Sequence, residues 1–199
     1  MGTNRLESFS DGVIAVAVTL LVLDIRVPVL GPHESLLHAL LNDWPHYAAY
    51  VVSFMTIGII WVNHHAMIGR LARADHSIFI LNLLLLMSIV LLPFATELMA
   101  AYLRASSGQS LAAGLYSGAF LLMALIFSAL NRHILLARAH MLSVELALEE
   151  RRRILSRAII GLGPYLVATL VAFVSPYATL AICGAIAVFY ALPVASGGT

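Results

Sequence analysis

Long apolar stretches alternate along this chain with short polar breaks, and six of the stretches are long enough to cross a bilayer as helices. Covering the hydrocarbon core takes roughly 20 mostly apolar residues per helix. The pattern predicts an all-α, polytopic membrane protein with six transmembrane helices near residues 9–27, 45–62, 77–103, 111–131, 154–174 and 177–194, in one domain over 1–199. The breaks carry turn and helix-stop residues: Pro28, Gly31-Pro32, Asp43-Trp44-Pro45, Ser106-Ser107-Gly108 and Ser175-Pro176. The last break is so short that the fifth and sixth helices form an antiparallel hairpin. Between the first two spans, leucines at 36, 37, 40 and 41 share one face of a short helix near 33–43, lying at the interface, with an ordered loop as the alternative. Trp44 then marks the headgroup level. The polar stretch His133–Arg153 reads as a solvated extension of the fourth helix, in which Glu149 can pair with Arg153 one turn on. No internal duplication is visible, and Ala195–Thr199 is expected to be a frayed end.

Composition supplies the solvent. At 61% hydrophobic and 11% charged residues, with a mean hydropathy of +0.96, a chain of 199 residues has more apolar surface than a water-soluble globule can hide. Every basic side chain is arginine. Arg5, Arg70, Arg73, Arg132, Arg138, Arg151, Arg152, Arg153 and Arg157 fall on one side of the predicted spans, Arg26 and Arg104 on the other. The positive-inside rule puts the arginine-rich side, with both termini, in the cytoplasm. The first helix is not expected to be a cleaved signal, because its apolar core is long and acidic residues stand at its start. A net charge of +1 offers nothing to nucleic acid, and the single Cys183 rules out an internal disulfide.

The chemistry concentrates where Arg5-Leu6-Glu7-Ser8-Phe9-Ser10-Asp11 runs into an apolar helix whose one hydroxyl is Thr19. A charge carried into a bilayer is costly unless paired or wetted. At 100° per residue, Val16, Thr19, Leu20 and Leu23 share one face, while Asp11 lies off it. Such a stripe is compatible with any membrane helix, and periodicity alone does not select a pore. Asp11 has candidate partners at matching depth in Trp61, Asn63, His64, His65 and Asn82. A network of Ser10, Asp11, His64 or His65, and Asn82 would satisfy these groups between helices, either as structural glue or in transport. Adjacent histidines point about 100° apart, and His133 and His140 stand roughly 10 Å apart along a helix, so no metal site is expected within one helix. No G-x-S-x-G, H-E-x-x-H or P-loop motif occurs, which argues against an enzyme. Asp24 is expected in the headgroups on the outer side, and Glu97, near Pro93, either faces a vestibule or caps a kink.

Arg5-x-x-x-Phe9-Ser10-Asp11 followed by Ala15-x-Ala17-x-Thr19-Leu20 resembles the signature of the Transmembrane Protein 175 potassium channel family in its prokaryotic form. Trp61-x-x-His64-His65, Leu81-Asn82-Leu83-Leu84-Leu85 and Leu92-Pro93-Phe94 extend the likeness through the third span. The resemblance implies a homotetramer of six-helix subunits whose first helices line a central pore. It also implies potassium conduction without a Thr-Val-Gly-Tyr-Gly filter, a sequence this chain does not contain. Carried over by the Phe-Ser-Asp register, Val16 is the innermost apolar ring, Thr19 a hydroxyl ring near which potassium passes, and Leu20 and Leu23 outer rings. On this reading the partners are copies of the chain and membrane lipids, with no cofactor, resident metal, nucleic acid or small-molecule substrate. Two positions depart from the family pattern: Gly12 stands where alanine is usual, and Val16 where isoleucine or leucine is common. The alternative function is a proton-coupled secondary transporter relaying protons through Asp11 and His64 or His65.

Overall fold

The computed structural model describes residues 3–192, the side chain of Arg157 excepted. The expected end of the sixth span at 193 and 194 and the tail 195–199 lie outside the described residues. Helix α1, Thr3–Leu20, tightens into a 3₁₀ turn over Leu21–Asp24. A short α2, Leu36–Asn42, starts at Ser35, whose hydroxyl accepts from the His38 amide, and all four of its leucines are exposed. Next come α3, Trp44–Ile68, with Pro45 in its first turn, and α4, His76–Val90, with Asp75 as N-cap. They are followed by α5, Leu92–Tyr102, α6, Gln109–Arg132, α7, Leu148–Ile160, α8, Leu162–Val171, and α9, Pro176–Ala191.

Among the described residues, five segments are long and apolar enough to cross a membrane: Thr3–Asp24, Trp44–Ile68, His76–Tyr102, Gln109–Ala137 and Leu148–Val171. Helix α9 is apolar but has 16 residues. At 1.5 Å per residue that is about 24 Å, short of a core roughly 30 Å thick.

Two expected spans are each built from two helices, for a shared reason. Proline has no N–H and its ring crowds the carbonyl four residues back. Pro93 therefore ends α4 at Val90, and Pro164, in a Gly161-Leu162-Gly163 setting, ends α7 at Ile160. The expectation of a fourth helix running on through 133–153 is corrected. After Arg132 the chain takes a π turn over His133–Ala137 and a 3₁₀ turn over Ala139–Met141, and Leu148 opens a separate helix. No ion pair joins Glu149 to Arg153 among the described residues.

Helix α6 is the hub of the bundle, packing on α4, α5, α8 and α9. Tyr116 and Phe120 are wholly buried there with rings edge-to-face at 4.8 Å, and Tyr165 of α8 lies 5.8 Å from Phe120. The Tyr116 hydroxyl meets Ser53 of α3, to which Thr96 of α5 donates, so a polar clasp of three helices sits inside the apolar core. Gly184 of α9 lets α3 approach closely, since a Cβ there would stand 3.3 Å from Val52 Cγ2. Gly108, before α6, has φ +81°, a left-handed conformation glycine adopts without a Cβ penalty.

The ends of the bundle are chemically distinct. Arg138 pairs with Asp75 and the Arg70 carbonyl receives the Ser143 amide, gathering the α3–α4 turn and the segment after α6 at one end. The Asp75 carboxyl is held below its ordinary range, first by the Ile78 amide and then by Arg138. At the opposite end Arg26 pairs with Glu97, Arg104 donates to Asn42, and Trp44 stacks on Tyr177. Helix α1 lies on the flank, packed mainly on α3 and α4.

Candidate functional site: the first helix and its seam

One face of α1 is used up by the subunit. Leu6, Ser10, Ile14, Ala17 and Leu21 are buried, at spacings of three and four residues that keep to one side of a helix. The opposite face is apolar and has no cover. Val16 is 57% exposed, Leu20 39% and Leu23 68%, with Thr19 between them also exposed. The switch to 3₁₀ geometry at Leu21 matters here: three residues complete a turn, so Leu23 stands above Leu20 rather than drifting around the helix.

Thr19 supplies the hydroxyl of this exposed stripe. Its hydroxyl donates to the Val16 carbonyl at 2.9 Å. With the hydrogen tied back, what the oxygen presents to the open face is its lone pairs. It forms the only polar interruption of that stripe.

The polar end of α1 divides into a buried chain and an outer seam. In the chain, the Ser10 hydroxyl donates to the Leu6 carbonyl at 2.8 Å, Asn82 Nδ2 donates to Ser10 at 2.9 Å, and His64 Nε2 lies 2.7 Å from Asn82 Oδ1. Since the Leu6 carbonyl can only accept, every bond in the series has its direction fixed. His64 must carry its proton on Nε2, and Asn82 must turn its amide nitrogen to Ser10. Ser10, His64 and Asn82 are each wholly buried, and the directed chain fastens α1 to α4 and α4 to α3. His64 Nδ1 is left buried with no partner.

In the seam, Trp61 Nε1 donates to Asp11 at 2.9 Å, and one turn nearer the start of α1, Glu7 meets His65 Nδ1 at 2.9 Å. Glu7 and Asp11 are thus matched, four residues apart, with Trp61 and His65 on the antiparallel α3. The expected single network is two separate devices: Asp11 is bonded to the indole of Trp61 rather than to His64 or His65. Glu7, which sequence reasoning passed over, joins the seam; its spacing of four from Asp11 was the available signal. Arg5 and Phe9 point outward from α1, and Arg5 joins no ion pair among the described residues. Asn63 of α3 turns back to the Ile59 carbonyl, away from Asp11.

At the far end Asp24 and Glu97 border a cavity of about 390 Å³ with Arg26, Asp43 and His46. His46 bridges Asp43 at 2.7 Å and Glu97 at 3.5 Å. Glu97 therefore faces an opening, and Asp24, expected in the headgroups, borders the same opening.

Apolar spanning helices, an uncovered stripe with one hydroxyl, and inward-facing polar groups tied between helices define a polytopic helical membrane protein whose first helix is dressed differently from the rest. Residues 5–93 match the family described as the endosomal/lysosomal potassium channel TMEM175. A Streptomyces collinus protein named a potassium channel is 43% identical over 94% of this chain and 91% of its own length. A second, from Chamaesiphon minutus and also named a potassium channel, is 40% identical over 96% of this chain and 94% of its own. The crystal structure of a TMEM175 homologue from Chamaesiphon minutus, titled a lysosomal potassium-selective channel, covers 95% of this chain and 96% of that one, with a TM-score of 0.82 at 39% identity. The chain belongs to the TMEM175 family, in the short form of its bacterial relatives; the family is one of ion channels, not enzymes.

Proposed function

We propose that this protein is a potassium-permeable leak channel assembled from four copies, with α1 of each copy lining a central pore. One observation carries the reading: Val16, Thr19, Leu20 and Leu23 form a stripe that the subunit leaves uncovered, in a chain 43% identical to a protein named a potassium channel. Around a fourfold axis, Val16, Leu20 and Leu23 become apolar rings that close the path by dewetting and open it by a small dilation. The Thr19 ring offers four oxygens to a permeating ion in place of part of its water. No Thr-Val-Gly-Tyr-Gly filter is available in the chain, so selectivity falls to this hydroxyl layer. The buried Ser10–Asn82–His64 chain and the Asp11–Trp61 bond set the angle at which α1 approaches the axis. The sixth span on this reading is α9. The arginine-rich end faces the cytoplasm with both termini, in the inner membrane of a prokaryotic cell. The exposed leucines of α2 rest in the opposite interface.

Potassium flux from purified protein in liposomes, with native mass measurement of the oligomer, tests this. Passive flux following the potassium gradient and a fourfold mass are expected. Saturable flux that moves protons with its substrate would instead make the protein a secondary transporter, and the absence of flux would end the channel reading. Within the channel, Thr19→Ala is expected to move the reversal potential toward that of sodium; an unchanged value would remove Thr19 from selectivity.

A further inference from the structure

Glu7, Asp11 and His65 each offer a ligand atom, and these atoms lie within 4.8 Å of one another. The set is not a patch of surface carboxylates. Two ligands stand one turn apart on α1, and the third, an imidazole, comes from α3, so the helix packing itself converges them. Glu7 and Asp11 are half-buried and His65 is exposed, which leaves the site open to solvent yet held at its base. Trp61 occupies only Oδ1 of Asp11, leaving the second oxygen free, and its ring lies 6.2 Å from the His65 ring, bordering the site on one side.

We propose that Glu7, Asp11 and His65 bind a divalent transition-metal ion that bridges α1 to α3. Two carboxylates and one neutral imidazole balance a double positive charge. The oxygen–oxygen–nitrogen donor set suits zinc and its borderline neighbours, whereas magnesium asks for six oxygens in a strict octahedron. Metal–ligand bonds near 2.1 Å put tetrahedral donors about 3.4 Å apart. The Glu7–His65 contact, at 2.9 Å, opens to that and separations of up to 4.8 Å close to it by shifts on the order of 1 Å in the exposed His65 ring and the Glu7 carboxylate, and water fills the fourth position. Of the neighbouring charged groups, Arg5 is exposed and joins no ion pair among the described residues, and His64, next to His65, is turned into the bundle toward Asn82. The functional consequence rests on the channel reading. A metal joining the two helices pins α1 against α3 in the arrangement seen here and resists the dilation that opening needs.

The test is zinc titration calorimetry on tag-free, detergent-solubilised protein, comparing wild type with Glu7→Gln and His65→Gln, with magnesium as control. Neither side chain is buried, and size-exclusion profiles identify any variant that fails to assemble, in which case the other decides. The wild type is expected to bind one zinc per subunit, each variant to bind at least tenfold more weakly, and magnesium not to bind at the same concentrations. Absence of stoichiometric zinc binding, or equal binding by His65→Gln, overturns the site. In liposomes zinc should slow wild-type potassium flux and leave His65→Gln unaffected; bound zinc with unchanged flux overturns the pinning. Zinc binding by a protein that carries no flux would sink the channel reading while leaving the site standing. Flux without zinc binding would do the reverse.

Discussion

Removing the Asn82 side chain is the most informative single perturbation of the subunit. Asn82 is wholly buried and makes two bonds, giving a hydrogen to Ser10 at 2.9 Å and receiving one from His64 at 2.7 Å. The two partners do not suffer equally when it is truncated. Ser10 still donates to Leu6 and loses only an incoming bond. His64 has no fallback, because its Nδ1 is already without a partner, and Asn82→Ala leaves both ring nitrogens buried and unbonded. A stranded buried donor costs about 1–3 kcal/mol, and the weakened Ser10 contact and small cavity add to this. Interhelical bonds in membranes average nearer 0.6 kcal/mol when measured by double-mutant cycles, which sets a floor of about 1 kcal/mol for the two. The expected loss for Asn82→Ala is therefore about 1–4 kcal/mol, read as reduced unfolding free energy of the detergent-solubilised protein. The sharper assay is the cycle with His64→Leu, which removes the group that would be stranded. A coupling energy of about 1 kcal/mol or more is expected, with the double variant more stable than the two single losses would give. A coupling below about 0.3 kcal/mol would mean the two residues act independently, and the directed chain would lose its energetic meaning.

Three further outcomes follow from particular contacts. The Asp75 carboxyl is held below its ordinary value of 3.8 by the Ile78 amide and Arg138, so its contribution to stability is present above pH 3.8 and lost as the pH falls through the depressed folded value. Asp75→Asn should therefore be less stable than wild type at pH 6, with the gap closing in acid; a gap that stays constant to the lowest pH reached would refute the assignment. Gly184→Leu should cost about 1–3 kcal/mol by driving a side chain into Val52, with part of the loss recovered by Val52→Ala, and unfolding melts of the three variants check it. Val16→Ile should lower single-channel conductance by narrowing the innermost ring, and a larger current would reverse the assignment of that ring.

Much of this molecule is legible in the order of its residues, and what is not follows a common rule. Apolar length marked the membrane helices because a bilayer imposes one thickness on every span, and Ser175-Pro176 ended one helix and capped the next as its chemistry requires. The stripe of α1 was readable because 100° per residue is fixed whatever surrounds it, and the subunit leaves that stripe uncovered. Partner choice was not readable in the same way. Ser10, Asn82 and His64 were candidates by depth, but whether Asp11 met an indole or an imidazole depends on how α3 is rotated against α1, a quantity with no local signal. Glu7 was overlooked for the same reason: it gains its meaning only from His65, on another helix. The breaks at Pro93 and Pro164 were visible as residues, yet whether a proline bends a span or divides it depends on the neighbours that accept the freed carbonyls. The π turn after Arg132 left no mark that composition or periodicity would reveal.

Cysteine scanning of α1 in a Cys183→Ser background, with a charged thiol reagent applied to the reconstituted protein, tests the central claim most directly. Cys183 is buried in α9, so its replacement removes the native thiol without touching α1. Block of potassium current is expected at Val16, Thr19, Leu20 and Leu23 and not at Ile14, Ala17 or Leu21, which are buried against the rest of the bundle. Block at the buried set, or none at the exposed set while current persists, would place the ion path somewhere other than along the first helix.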